Sequence, residues 1–178
     1  MVSNRRAAGT RPAAVLIGPP GAGKSTVAAA IAARTGWQHL DTDEVIVSQE
    51  GVPISDIFVV QGEEHFRRLE ADAVREALSG HDGVLSLGGG APMHPDTAAL
   101  LDGHVVVFLD VDVSEAAKRV GLNTARPLLA INPRAQLNAL LKQRRPRYEE
   151  LATFTVDTTG RTPEEIAQEI LDRLEELA

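Results

Sequence analysis

Cysteine is absent from this 178-residue chain. That excludes a disulfide framework and any thiolate metal site, and it fits a reducing, cytoplasmic setting. No apolar run approaches the roughly 18 residues that a membrane-spanning helix requires, so no membrane partner is expected. Basic residues are the minority: 18 Lys and Arg against 25 Asp and Glu leave a formal charge of −7 and a pI near 5.2. A nucleic-acid or anionic-membrane binder needs a broad basic surface to displace counterions. Nucleic acid is therefore not an expected partner, and any anion site must be local. No repeat, low-complexity tract or interdomain linker breaks the chain. The histidines at 39, 65, 81, 94 and 104 have neither metal-ligand spacing nor a base–nucleophile pattern, and read as surface or packing residues.

What is present is enough apolar material, 43% of the chain, for one sizeable core. A single domain is expected over 13–178, behind a basic, acid-free opening "MVSNRRAAGTRP" (1–12) that lacks an apolar targeting core and reads as a disordered leader. Short β-type runs at 13–17, 37–40, 83–87, 104–109 and 153–156 alternate with helical stretches. The Val-rich run at 105–107 has no polar alternation, as in a parallel strand buried on both faces, and parallel strands need helical crossovers. A doubly wound α/β domain follows. Helices are expected over "KSTVAAAIAART" up to Gly36, over "GEEHFRRLEADAVREALSG" up to Gly80, and over "TPEEIAQEILDRLEEL" behind a Thr cap. The segment 121–134, punctuated by Gly, Asn and Pro, is too long for a plain connection.

"GPPGAGKST" (18–26) follows the first strand and opens the first helix, the setting a phosphate-binding loop requires. Its glycines let the chain curl so that amides point inward, and the helix adds its positive end. Gly18, Gly21, Ala22, Gly23, Lys24, Ser25 and Thr26 thus form an anion cradle, with Lys24 reaching the outer phosphates and the Ser25 hydroxyl taking a magnesium position. ATP or GTP with Mg2+ is the expected ligand, and the loop by itself does not separate hydrolase from transferase.

Asp41 and Asp43 lie at the carboxyl end of the second strand, where ligands gather in doubly wound sheets. One could serve the metal's water shell while the other accepts a hydroxyl proton. Asp41 or Thr42 could equally cap the helix that begins there, and the two roles are compatible. Adjacent Arg67 and Arg68 diverge by about 100° on a helix, so one can face a site and the other solvent. Ion pairs with Glu63, Glu64 and Glu70 are the structural alternative. Gly88, Gly89 and Gly90 demand close approach by a ligand or a neighbouring turn. Arg126, Arg134, Arg144, Arg145 and Arg147 supply the local anion site, some of them as ordinary surface charges.

In order and spacing, "GPPGAGKST", "DTD", "DIF", "GEEHFRRLE", "SLGGGA", "NTARPLL" and "RRPRY" resemble the shikimate kinase family over residues 15 to 163. The resemblance implies transfer of the ATP γ-phosphoryl group to the 3-hydroxyl of shikimate, giving shikimate 3-phosphate and ADP in chorismate and aromatic amino-acid biosynthesis. It implies a P-loop NTPase fold of the nucleoside monophosphate kinase type: a three-layer α/β domain with a five-stranded parallel sheet, a mobile lid at about 121–134 and a substrate-binding segment at about 42–75. By position it makes Asp43 the hydroxyl-binding base and Asp41 the magnesium assistant. Arg67 and Arg144 become carboxylate clamps, with Arg145 a competitor for the second, and Gly88, Gly89 and Gly90 line the same pocket. Phe58 and Phe66 form its apolar wall. Arg126 becomes the lid arginine over the phosphates, while Arg119 and Pro163 flank the adenine. ATP and Mg2+ are the implied cofactors, shikimate the small-molecule partner, and a monomer the implied state. Leu122 replaces a glycine common in relatives, and the basic leader has no counterpart. The alternatives are another small-metabolite kinase of this fold, such as a gluconate or nucleoside monophosphate kinase, and a non-catalytic nucleotide-dependent regulatory module.

Overall fold

A computed structural model describes residues 11–121 and 133–178. Among these residues the apolar runs become one parallel sheet of β1 (Ala14–Ile17), β2 (His39–Asp41), β3 (Val84–Ser86), β4 (Val106–Asp110) and β5 (Phe154–Asp157), in the order β2-β3-β1-β4-β5. Val15 stands opposite Leu85 on one side and Val106 on the other, which fixes β1 at the centre. Every residue of β1 is buried, and side chains alternate between faces: Ala14 and Leu16 enter one core, Val15 and Ile17 the other. β4 shows the same uninterrupted burial up to Asp110, as its unpatterned Val-rich sequence requires.

Helices cover both faces, giving three layers. On one side α1 (Lys24–Thr35) and α8 (Pro163–Leu177) bring Val27, Ala28, Ile31, Ile166, Ala167 and Ile170 against the sheet. On the other, α4 (Glu63–Gly80) brings Val74, Ala77 and Leu78. α1 ends at Gly36 in the left-handed region, φ 76°, and α8 opens with a reciprocal Thr162–Glu165 capping box. The 42–75 segment forms α2 (Thr42–Glu50), α3 (Ile54–Gln61) and most of α4, with a satellite core of Ile46, Ile57, Phe66 and Ala73. α5 (Pro95–Leu100), α6 (Val113–Gly121) and α7 (Pro133–Leu151) complete the described elements. Most of the 121–134 segment, Arg126 and Leu122 included, and residues 1–10 of the leader lie outside the described residues. No helix among the described residues is long and apolar enough to cross a membrane.

Because all strands are parallel, their carboxyl ends share one edge. Gly18, Asp41, Gly88 and Asp110 follow or end β1, β2, β3 and β4 there, so one edge gathers every candidate group from the sheet.

Candidate active site

The phosphate loop takes its shape from positive backbone angles at Gly21 (φ 82°) and Gly23 (φ 85°), where a side chain would be strained. The Ala22 amide donates to Pro19 O at 3.2 Å, and the Val27 amide starts α1 by donating to Gly23 O at 2.9 Å. Lys24 Nζ folds back to donate to the carbonyls of Gly18 (2.7 Å) and Pro19 (3.0 Å), which holds its charge in the mouth of the loop. Thr26 Oγ1 donates to Gly23 O at 2.9 Å and braces the first turn.

Asp41 caps α2 and also meets the phosphate loop. Its Oδ1 accepts from the Asp43 amide at 2.9 Å as the cap of α2, and its Oδ2 accepts from the Ser25 hydroxyl at 2.9 Å. A carboxylate and a hydroxyl side by side at the phosphate end are hard oxygen donors, a set that fits Mg2+. The helix so capped starts at Thr42.

The Gly88–Gly90 turn explains itself sterically. A Cβ on Gly88 would stand 2.7 Å from Asp43 Oδ1 and 3.0 Å from Glu70 Oε2. On Gly89 it would stand 3.2 Å from Arg144 Nη1, 3.3 Å from Pro20 Cδ and 3.4 Å from Gly18 O. On Gly90 it would strike the Arg67 guanidinium at 2.6 Å. Each glycine therefore yields space to a charged side chain or two, and the turn rests on the phosphate loop. The groups so gathered, Asp43, Glu70, Arg67 and Arg144, meet beside the cradle.

α4 separates its two arginines as the helical angle requires. Arg67 is 20% exposed and Arg68 is 68% exposed, paired only loosely with Glu64 at 3.7 Å. Arg67 binds Glu70 Oε1 at 2.6 Å and lies 3.7 Å from Glu63 Oε1, so ion pairing and a site-facing position coexist. Its guanidinium stands 5.3 Å from the Phe66 ring centroid and 6.0 Å from that of Phe58, and the rings are 4.7 Å apart. The two phenylalanines thus pack together under a cation. Glu70 is 1% exposed. Burial pushes its carboxyl from 4.5 up to about 6, against the pull of Arg67 and helped by the nearby Asp43 charge.

The choice between Arg144 and Arg145 is geometric. Arg145 forks onto Asp110 at 2.9 and 2.8 Å, while Arg144 lies against Gly89 and, with Arg67 and Gly90, lines an open cavity of about 1100 Å³. Arg147, on the outer wall of that cavity, pairs with Glu150 at 2.6 Å, and Arg134 donates to Ser114 Oγ at 2.6 Å. Of the described arginines in the late cluster, Arg144 reaches the Gly88–Gly90 turn. On the opposite rim Arg119 donates to Gly21 O (2.9 Å) and Thr158 O (3.4 Å) and pairs with Glu115. Pro163 opens α8, five residues after Thr158.

The family model described as shikimate kinase matches residues 20–175. The chain belongs to the shikimate kinase family. It is similar to the shikimate kinase of Streptomyces avermitilis, 57% identical over 93% of this chain and 97% of that one. It is also similar to that of Thermobifida fusca, 57% identical over 93% and 96%. Among solved structures, shikimate kinase from Acinetobacter baumannii, determined in complex with shikimate, superposes with a TM-score of 0.88 at 35% identity, covering 93% of each chain. The expected P-loop α/β fold with its parallel sheet is thereby established for this member of the family.

Within this shikimate kinase site, residue reading missed three anchors. Glu70, which the sequence offers alongside Glu63 and Glu64 as an alternative ion-pair partner, sits on the buried stripe Phe66, Glu70, Ala73, Val74, Ala77, and that helical register is the signal that identifies it. Tyr148, quoted within "RRPRY" without a role, donates its hydroxyl to Gly89 O at 2.6 Å. Asp110, at the end of β4, carried no motif and holds Arg145.

The glycine geometry carries a prediction. Gly88→Ala forces apart the Asp43 and Glu70 carboxylates, the groups nearest the new methyl at 2.7 and 3.0 Å. The backbone there needs no positive φ, so the expected stability loss is small, under about 1 kcal/mol, while kcat falls about tenfold or more. Paired melting curves and initial rates test it; unchanged kcat would mean that the Asp43 position is not critical.

Proposed function

We infer that this chain transfers the γ-phosphoryl group of ATP to the 3-hydroxyl of shikimate, as an ATP-dependent kinase of the shikimate kinase family. The observation that carries the residue assignment is the meeting of Asp43, Arg67 and Arg144 around a glycine turn that leans on the phosphate loop. A carboxylate-bearing polyol fits this arrangement: two guanidinium groups for the carboxylate, one aspartate for hydroxyls. Phe58 and Phe66 take its ring face.

In the proposed reaction the 3-hydroxyl oxygen attacks the γ-phosphorus, the bond from that phosphorus to the β–γ bridging oxygen breaks, and ADP leaves with the electron pair. Asp43 takes the hydroxyl proton. Lys24 releases the Gly18 and Pro19 carbonyls and turns to the phosphates, while Gly21, Ala22, Gly23, Ser25 and Thr26 hold them through amides and the α1 end. Mg2+, held by Ser25 with help from Asp41, would offset phosphate charge when bound. Arg119 and Pro163 flank the adenine. Arg126, outside the described residues, is assigned by resemblance to the transferring phosphoryl group, and the segment around 121–134 to a lid that excludes water. Residues 13–178 are proposed to act as one kinase domain, and as a monomer.

The test is a coupled ADP-release assay with Mg2+, ATP and, in turn, shikimate, gluconate, AMP, CMP or no acceptor. Acceptor-dependent turnover with shikimate alone, with a phosphorylated product by mass spectrometry, is expected. Faster turnover with gluconate would reassign the substrate, and equal ADP release without acceptor would overturn the transferase reading in favour of a nucleotide-dependent module.

A further inference from the structure

We propose that Tyr148 is a positioning residue that fixes Arg144 and the Gly88–Gly90 turn together, so that Arg144 meets a substrate carboxylate in a set orientation. This rests on the carboxylate role given to Arg144 above.

Tyr148 lies one helical turn after Arg144 on α7, and its ring is 1% exposed, 5.1 Å from the Phe108 centroid over the sheet. The ring cannot swing without opening that core. Its hydroxyl donates to Gly89 O at 2.6 Å, and Arg144 Nη1 lies against the same glycine, 3.2 Å from where a Cβ on it would stand. Phenol and guanidinium, four positions apart on α7, thus meet at one residue of the turn. Burial raises the phenol above its ordinary value, with Arg144 opposing, so the hydroxyl keeps its proton. On the neighbouring residue, the Arg145 fork on Asp110 fixes the rotation of α7 about its axis. Arg144 then points about 100° away, toward Gly89 and the cavity. A clamp on a flexible stem becomes a pre-oriented one, which lowers the ordering cost of binding an anion.

Tyr148→Phe keeps the ring and removes the hydroxyl. The expected result is a rise in KM for shikimate of up to roughly tenfold, the factor one lost positioning hydrogen bond sustains. KM for ATP and the melting temperature stay near wild type. In an Arg144→Ala background the same change should add less than about twofold, because the group it orients is gone. An unchanged KM for shikimate, or an equal rise in both backgrounds, overturns the proposal. Tyr148 is the only tyrosine in the chain, so tyrosine labelled at Cζ gives one carbon-13 resonance in the intact enzyme and needs no substitution at 148. That resonance should move with saturating shikimate in wild type and not in Arg144→Ala; equal movement in both overturns the proposal. If wild type shows no shikimate-dependent turnover at all, the functional reading fails instead, a result separate from these comparisons.

Discussion

Asp43→Asn is expected to lower phosphoryl transfer to shikimate by about a thousandfold while ATP affinity stays within about twofold of wild type. The substitution is nearly isosteric. The Asp43 amide, which secures the start of α2 by donating to Asp41 Oδ1, is untouched, and the close fit against Gly88 is preserved. Asn can still read a hydroxyl but cannot take its proton. Ser25 and Asp41, at the phosphate loop, keep their 2.9 Å contact. Single-turnover transfer and direct ATP titration separate the two steps. Transfer near the wild-type rate would remove Asp43 as base, and a raised KM with intact kcat would limit it to reading hydroxyls.

The fold was legible because its signals are local. Each strand is a short apolar run, each major helix carries its own start or stop residue, and the phosphate loop is a contiguous pattern whose residue types all serve one anion. The site was legible where chemistry is contiguous too, at Asp41, Asp43 and the three glycines. It was not legible where a residue's meaning comes from a partner distant in sequence. Arg144 and Arg145 are adjacent and chemically equal; Asp110 on β4 and Gly89 after β3 tell them apart, and only folding brings those to α7. Glu70 looks like one acid among several near Arg67 and Arg68 until α4 packs and encloses it.

That site shares a design: groups whose charges matter are tied to the scaffold by a contact away from the cavity. Asp41 caps α2 while accepting from Ser25, Arg67 is held by Glu70, and Arg144 lies against Gly89, whose carbonyl Tyr148 holds. Catalysis here relies on placement and charge, with little covalent chemistry left to the protein. Contacts one step behind the cavity should then control rate as firmly as the cavity wall.

Glu70 gives that expectation its largest effect on stability. Its carboxyl titrates at about 6 in the fold against 4.5 in the open chain, because burial outweighs the pull of Arg67. The folded protein therefore binds this proton more tightly than the unfolded one. The resulting stabilisation is complete below 4.5 and is lost as pH rises through 6, about 2 kcal/mol in all. Glu70→Gln has no proton to lose. The difference in unfolding free energy, wild type minus Glu70→Gln, should fall by that amount between pH 4.5 and 7 and be flat above, read from denaturant titrations at stepped pH. A flat difference throughout would mean that the carboxyl is not desolvated as its burial indicates. Glu70→Ala is harsher, since it leaves a void on the stripe of α4 and an arginine with only Glu63, 3.7 Å away. It should cost about 3 kcal/mol at neutral pH and raise KM for shikimate, because Arg67 loses the 2.6 Å contact that aims it. Retention of wild-type KM in a folded Glu70→Ala protein would show that Arg67 finds the substrate without that guide.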